Sequence, residues 1–140
     1  MEEYVVSARS GADDLLPVGM AVHELLSRLP VTMRSLEQRG IRIENGACID
    51  RDYTGPVLDE AIRENHLMKA TPVSGPYRGV PVVVTPVRNR AGEAIAAIGI
   101  VDITGIFDLA TLMDHQSAIV KEVCGEDPCP LPSEAISSKR

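Results

Sequence analysis

The sequence predicts an α+β domain in which an antiparallel sheet is flanked by helices, and three observations carry that prediction. Two β-rich apolar runs, Val80 to Arg88 and Glu93 to Thr104, enclose the polar loop Asn89-Arg90-Ala91-Gly92, which is the signature of a β-hairpin. The second run is apolar at odd positions (Ile95, Ala97, Val101, Ile103) and at even ones (Ala96, Ile98, Ile100), as expected of a strand in the middle of a sheet covered on both sides. Ahead of the strands, Leu15, Val18, Val22, Leu25, Leu26 and Leu29 recur at helical spacing.

Taken in order, residues 1–11 hold the short apolar piece Tyr4-Val5-Val6 and read as an extended N-terminal arm. Asp13 and Asp14 are good helix-start residues, and Pro17 is tolerated in a first turn. Leu16 and Met20 widen the apolar stripe of this first helix, which then suits both a core and a second subunit. Pro30 is expected to end it. Val31 to Leu36 reads as a strand, and Gln38-Arg39-Gly40 turns the chain. Ile41-Arg42-Ile43-Glu44 alternates apolar and polar, Asn45-Gly46 is a strong two-residue hairpin signal, and Ala47 to Asp50 returns from it. Thr54 is placed to cap a second helix with Gly55 and Pro56 in its first turn, and Val57, Leu58, Ala61 and Ile62 form its stripe. Leu67 to Thr71 is a short strand. Pro72 to Gly79, with two Pro and two Gly, is a loop leading into the central hairpin. After Thr104, Gly105 opens a third helix with Ile106, Leu109, Ala110, Met113, Val120 and Val123 on one face, and Gly125 stops it. The segment 126–140 carries three Pro and few large apolar residues and is expected to be a disordered tail. One domain over 12–125 follows, with a sheet of about five strands and N-terminal, middle and C-terminal helices.

The totals narrow the function classes. A chain of 140 residues suits a single domain able to bury its own core. With one Phe, three Tyr and no Trp, that core must be Val, Ile, Leu and Ala, and a base-stacking surface for single strands is disfavoured. A net charge of −6 argues against a broad phosphate-binding face, so no nucleic-acid partner is expected. The longest apolar stretch, Ala94 to Val101, is far short of a membrane span, and Met1-Glu2-Glu3 lacks the features of a signal peptide. Three Cys exclude a complete internal disulfide framework. A cytoplasmic protein with reduced thiols is the expectation.

No enzyme signature is visible: there is no Gly-rich phosphate loop, nucleophile elbow or paired-His metal motif, and no catalytic residue is assigned. Cys124 and Cys129, with His115 upstream, fall short of a zinc ligand set, so no metal is expected and no cofactor can be named. Cys48 reads as a small core residue, and His23 and His66 have no motif partner. The candidate ligand-binding residues are polar groups at strand ends and loops. Arg34 and Arg42 lie on the first strands, Tyr53 and Thr54 precede the second helix, Tyr77 and Arg78 lie in the Pro/Gly loop, and Thr85 and Arg88 lie on the hairpin. An Arg with a Tyr and a helix N-terminus suits a small anionic ligand, a carboxylate or phosphate. Solvated strand-edge arginines are the alternative. The small residues Ala96, Ala97 and Gly99 either leave space over the sheet or admit a close helix. Asp102 and Thr104 can each accept from the free N–H groups at the start of the third helix, as a cap or as a signalling joint.

The last two strands followed by Asp102-Ile103-Thr104 and a helix resemble the end of a PAS domain, in which an Asp-Ile-Thr triplet commonly leads into a signalling helix. The element order from Val31 to Thr104 is also similar to PAS and single Cache sensor domains (profilin-like). That resemblance covers roughly residues 12–124 and implies a ligand lying between the sheet and the helix and loop before the third strand. The runs Leu29-Pro30-Val31-Thr32-Met33-Arg34, Asp52-Tyr53-Thr54-Gly55-Pro56-Val57-Leu58 and Gly79-Val80-Pro81-Val82-Val83-Val84 resemble a domain-of-unknown-function family of methanogenic archaea. Low aromatic content departs from haem- and flavin-binding PAS sensors. The expected function is a stand-alone small-molecule sensor, acting as a homodimer or through a signalling protein partner. A ligand-free structural adaptor is the first alternative, and a small enzyme the second.

Overall fold

The computed structural model describes residues 2–103, and within them the chain runs α1 (Ala12–Leu25), β1 (Val31–Ser35), β2 (Gly40–Glu44), β3 (Ala47–Tyr53), α2 (Pro56–Glu64), β4 (Met68–Ala70), β5 (Val82–Arg88) and β6 (Ala94–Val101). The expected third helix, the tail, and the candidate residues Thr104, His115, Cys124 and Cys129 lie outside the described residues.

The strands form one antiparallel sheet in the order β3-β2-β1-β6-β5-β4, six strands where about five were expected. Each half is a meander of three consecutive strands, β1-β2-β3 and β4-β5-β6, and α2 connects them. The halves meet where β1 pairs with β6, from Val31 opposite Ile100 to Ser35 opposite Ala96. This places β6 between β1 and β5, as its two-faced apolar pattern requires.

Strand alternation divides the sheet into two faces. Val31, Met33, Ile41 and Ile43 point to one face and are covered by Leu15 of α1. Gly19 lets the helix come close: a Cβ there would lie 2.9 Å from Ile43 Cδ1. Val82, Val84, Ala97 and Val101 point to the other face and pack with Val57, Leu58, Ala61 and Ile62 of α2. The alternating run of Ile41 to Glu44 and the helical stripe of 57–62 therefore act as their spacing dictates.

Three boundaries differ from expectation. α1 begins at Ala12 and ends at Leu25, so Pro17 falls in its second turn and Pro30 plays no part in stopping it. The helix stops because Ser27 and Arg28 take left-handed φ angles of 55° and 68°. Thr54 does not cap α2: Gly55 holds the N-cap position and Pro56 opens the helix. The Asn45-Gly46 turn does form, with φ of 53° and 81° at the two positions.

His23 is fully buried on α1 and joins two loops. Its Nε2 accepts the Gly46 N–H at 2.9 Å, so the proton sits on Nδ1, which donates to the Leu29 carbonyl at 2.7 Å. One imidazole thus fastens the end of the helix to the β2–β3 turn.

Candidate functional site

The face under α2 is where the polar residues gather. β1 directs Thr32 and Arg34 onto it, β2 directs Arg42 and Glu44, and the end of β3 delivers Tyr53. Tyr77 comes from the loop between β4 and β5 and is buried in the same cluster despite its loop position. Thr32, Tyr53, Ser74 and Tyr77 line a narrow slot between the sheet and the first turn of α2, with Val82 and Val101 as its apolar wall. The slot holds about 20 Å³, room for a single water molecule.

Two hydroxyls in this slot lack partners. Thr32 is 6% exposed and Tyr53 is 8% exposed, and among the described residues neither hydroxyl makes a hydrogen bond. Burial, not a bond, is the main cause that pushes the Tyr53 phenol above its ordinary pKa. Both residues are largely buried while their hydroxyl oxygens stay open to the slot, so it offers two hydroxyls that no described protein group takes up.

Arg42 and Glu44 do not line the slot but form a closed set with Tyr77, which does. The Arg42 guanidinium lies over the Tyr77 ring, 5.1 Å from its centroid. Arg42 Nε donates to the Tyr77 hydroxyl at 3.0 Å, and Arg42 Nη2 reaches Glu44 at 3.2 Å. The Tyr77 hydroxyl in turn donates to Glu44. Burial first, then the bond to Glu44, pushes the Tyr77 phenol well above its ordinary pKa.

Arg34 belongs to a second set. Its Nη1 donates to Thr54 Oγ1 at 2.6 Å and to Asp59 at 2.9 Å, while Nε and Nη2 take the carbonyls of Ser35 and Leu36. The Thr54 hydroxyl also donates to Asp59 at 2.9 Å. This network ties β1 to α2 and borders an open groove of about 590 Å³ lined by Ile62, Arg63, Asn65 and Glu93 among others. Arg88 grips the end of α2, donating to Asn65 Oδ1 at 2.8 Å and to the Asn65 carbonyl at 3.1 Å.

Of the residues singled out from the sequence, Tyr53 and Tyr77 are brought together at the slot, and Arg42 is bonded to Tyr77. Arg34 and Thr54 meet each other beside it, and Arg88 sits at the far end of α2. Thr85 lies on the opposite face, because odd positions of β5 point away from Val82 and Val84. Arg78 is exposed on the loop. Asp102 is buried directly after β6, with its N–H on the Pro81 carbonyl at 2.9 Å. Ala97 and Gly99 serve close packing: a Cβ on Gly99 would lie 2.7 Å from Val84 and 3.1 Å from the Thr32 hydroxyl. Ala96 is buried on the other face, opposite Val87.

Sequence reasoning missed Thr32, Glu44, Asp59 and Ser74. Glu44 carried a usable signal, since two residues apart on a strand puts it on the face of Arg42. Thr32 carried none, because a Thr in a strand reads as an ordinary β-former. Among the described residues no three His, Cys, Asp or Glu side chains cluster to hold a metal ion, and Cys48 is half-buried with its Sγ on the Asp50 carbonyl. No helix among the described residues is long and apolar enough to cross a membrane.

No solved structure is significantly similar to the chain. An uncharacterised protein of Methanocaldococcus jannaschii is 45% identical over 117 residues, covering 83% of this chain and 88% of the relative. Residues 22–104, which hold the whole sheet, α2 and every slot residue, match a family described as an uncharacterised protein conserved in archaea (DUF2111). The chain belongs to that archaeal family, with a methanogen protein among its relatives.

Proposed function

We propose that this protein is a sensor domain of PAS/Cache-like type that binds a small molecule between α2 and the sheet. The observation that carries the reading is the pair of hydroxyls, Thr32 and Tyr53, that line one slot, remain open to it and take no partner from the described residues. Hydroxyls open to a narrow slot can be hydrogen-bonded by water or by the polar group of a ligand that takes the water's place. The arginines expected to hold an anion already face carboxylates, Arg34 on Asp59 and Arg42 on Glu44. That favours an uncharged polar ligand over a carboxylate or phosphate.

Signalling in this reading runs through contacts with a second copy or a protein partner. Val18 and Leu25 lie two turns apart on α1 and are 45% and 82% exposed, which supports a homodimer face there. Val101 lines the slot and Asp102 follows it, so a ligand would press on the last strand at the point where the chain leaves the sheet. The competing adaptor reading is favoured by the slot's size, since about 20 Å³ is far below an ordinary ligand site.

Native mass spectrometry of the freshly purified protein, followed by a thermal-shift screen of small polar compounds, tests the sensor. Expected is a mass lost on denaturation or a compound that raises Tm, with the stabilisation gone in the Thr32→Val/Tyr53→Phe double variant. Stabilisation that survives in that variant puts the ligand elsewhere. A bare protein that no compound stabilises leaves the adaptor as the better account.

A further inference from the structure

The slot is small because the chain fills it with its own side chain. We infer that Tyr77 occupies the ligand's place, and that the ligand is a planar aromatic or heteroaromatic molecule bearing a hydroxyl or N–H donor. The inference rests on the reading that a ligand binds under α2, and it names that ligand's chemistry.

The first support is how Tyr77 is held. It projects from a loop whose neighbouring residues Val73, Ser74, Gly75, Pro76 and Arg78 are exposed, yet its ring is buried beside Val82 and Val101. The loop is closed on itself. Gly79 N–H donates to the Pro72 carbonyl at 3.0 Å, Arg78 N–H to Gly75 at 3.2 Å, and Val80 N–H to Tyr77 at 3.0 Å. Among the described residues, the hydrogen bonds that fasten residues 73–78 to the domain beyond Val80 are those of the Tyr77 hydroxyl. A compact loop with its ends together and a single side-chain anchor can swing as one body once that anchor lets go. Gly79 at one end, with φ of 80° and open space around it, is free to absorb the rotation.

The second support is what the vacated place offers. A flat surface is set by the Arg42 guanidinium, which stacks on aromatic rings. The Glu44 carboxylate accepts, Arg42 Nε donates, and the wall is apolar. A phenol-like ring satisfies all of these, as Tyr77 does. Arriving from outside, such a molecule would remake the bonds that Tyr77 gives up, so the exchange is close to balanced. A further polar substituent reaching Thr32 or Tyr53 would then tip it, because those hydroxyls have no partner while Tyr77 is in place. Displacing the plug would free the loop, giving the binding event a visible consequence.

The test uses the full chain with p-cresol, the tyrosine side-chain analogue, and toluene, which lacks the hydroxyl. Binding is measured by ligand-observed NMR, and loop release by trypsin cleavage after Arg78. The Tyr77→Ala variant should bind p-cresol about tenfold more tightly than wild type, and more tightly than toluene by a similar factor, as loss of a hydrogen bond to a charged group implies. Glu44→Gln in that background should remove the preference. In wild type, saturating p-cresol should speed cleavage after Arg78. If Tyr77→Ala does not fold, Tyr77→Phe serves: it gives up both bonds to its hydroxyl and should bind p-cresol several-fold better than wild type. Equal binding of p-cresol and toluene would reduce the site to a plain apolar cavity. Cleavage unchanged by p-cresol, or equal affinity of Tyr77→Phe and wild type, would make Tyr77 a fixed core residue. Those results overturn the plug, while a compound whose effect needs Thr32 and Tyr53 would still leave the sensor reading standing.

Discussion

Beneath α1 the sheet presents Val31, Met33, Ile41 and Ile43 against Leu15 of the helix, with Gly19 drawing the helix down and His23 using both ring nitrogens. Beneath α2 the same strands present hydroxyls, guanidinium groups and a remaining space of about 20 Å³. The two faces share their backbone, so the difference lies in side chains alone. One face is dry and satisfied, which is what stability asks for. The other keeps two hydroxyls open to a slot with no partner among the described residues, and an inserted loop residue, Tyr77, which close packing alone does not explain. Departures from complete packing and pairing are where function is best sought.

The contrast can be broken or sharpened by substitution. Ile43→Ala on the dry face should cost about 2–5 kcal/mol in urea unfolding, since little there can collapse into the gap. A cost below about 1 kcal/mol would show the α1 face to be as loosely built as the other. His23→Leu should cost roughly 2–4 kcal/mol, because it leaves the Gly46 N–H and the Leu29 carbonyl buried without partners. A near-neutral result would mean that water replaces the imidazole.

On the polar face the effects are smaller and differ in sign. Tyr77 and Tyr53 both have folded-state pKa values raised above the ordinary 10.0. Above pH 10 the unfolded chain loses these protons while the folded chain keeps them, so stability is complete below that pH and falls as pH rises beyond it. For Tyr77 the slope should approach about 1.4 kcal/mol per pH unit, and Tyr77→Phe should flatten it. An unchanged slope in that variant would assign the alkaline loss to other groups. Thr32→Val, which removes an unpartnered hydroxyl at constant volume, should leave stability within about 1 kcal/mol of wild type or raise it. A clear loss of stability would mean that this hydroxyl has a structural partner and is not waiting for a ligand.

Much of the architecture follows from periodicity. The two-faced pattern of Ala94 to Val101 places β6 in the middle, Asn45-Gly46 makes its turn, and the stripe 57–62 faces the sheet. Local signals fail where the chain uses unusual residues for a common task. Ser27 and Arg28 take the left-handed conformation that Gly or Asn would have advertised, so Pro30 looked like the stop. The site was legible in part. Arg42, Tyr53 and Tyr77 stood out by type, and strand parity would have added Glu44 and removed Thr85. Thr32 was hidden because its importance comes from a missing partner, which no residue pattern records. That α1 and α2 take opposite faces depends on the pairing of β1 with β6, more than sixty residues apart in sequence.

That central pairing also governs how the site comes into being. Each meander pairs strands that are consecutive in the chain, whereas β1 and β6 must find each other across the full domain, the slowest kind of contact to make. The slot draws Thr32 from one side of this seam and Val101 from the other. It therefore does not exist in either meander alone, and it is completed only when the long-range step of folding is. A molecule lodged there staples the seam, so its presence should be felt in the rate at which the whole domain comes apart.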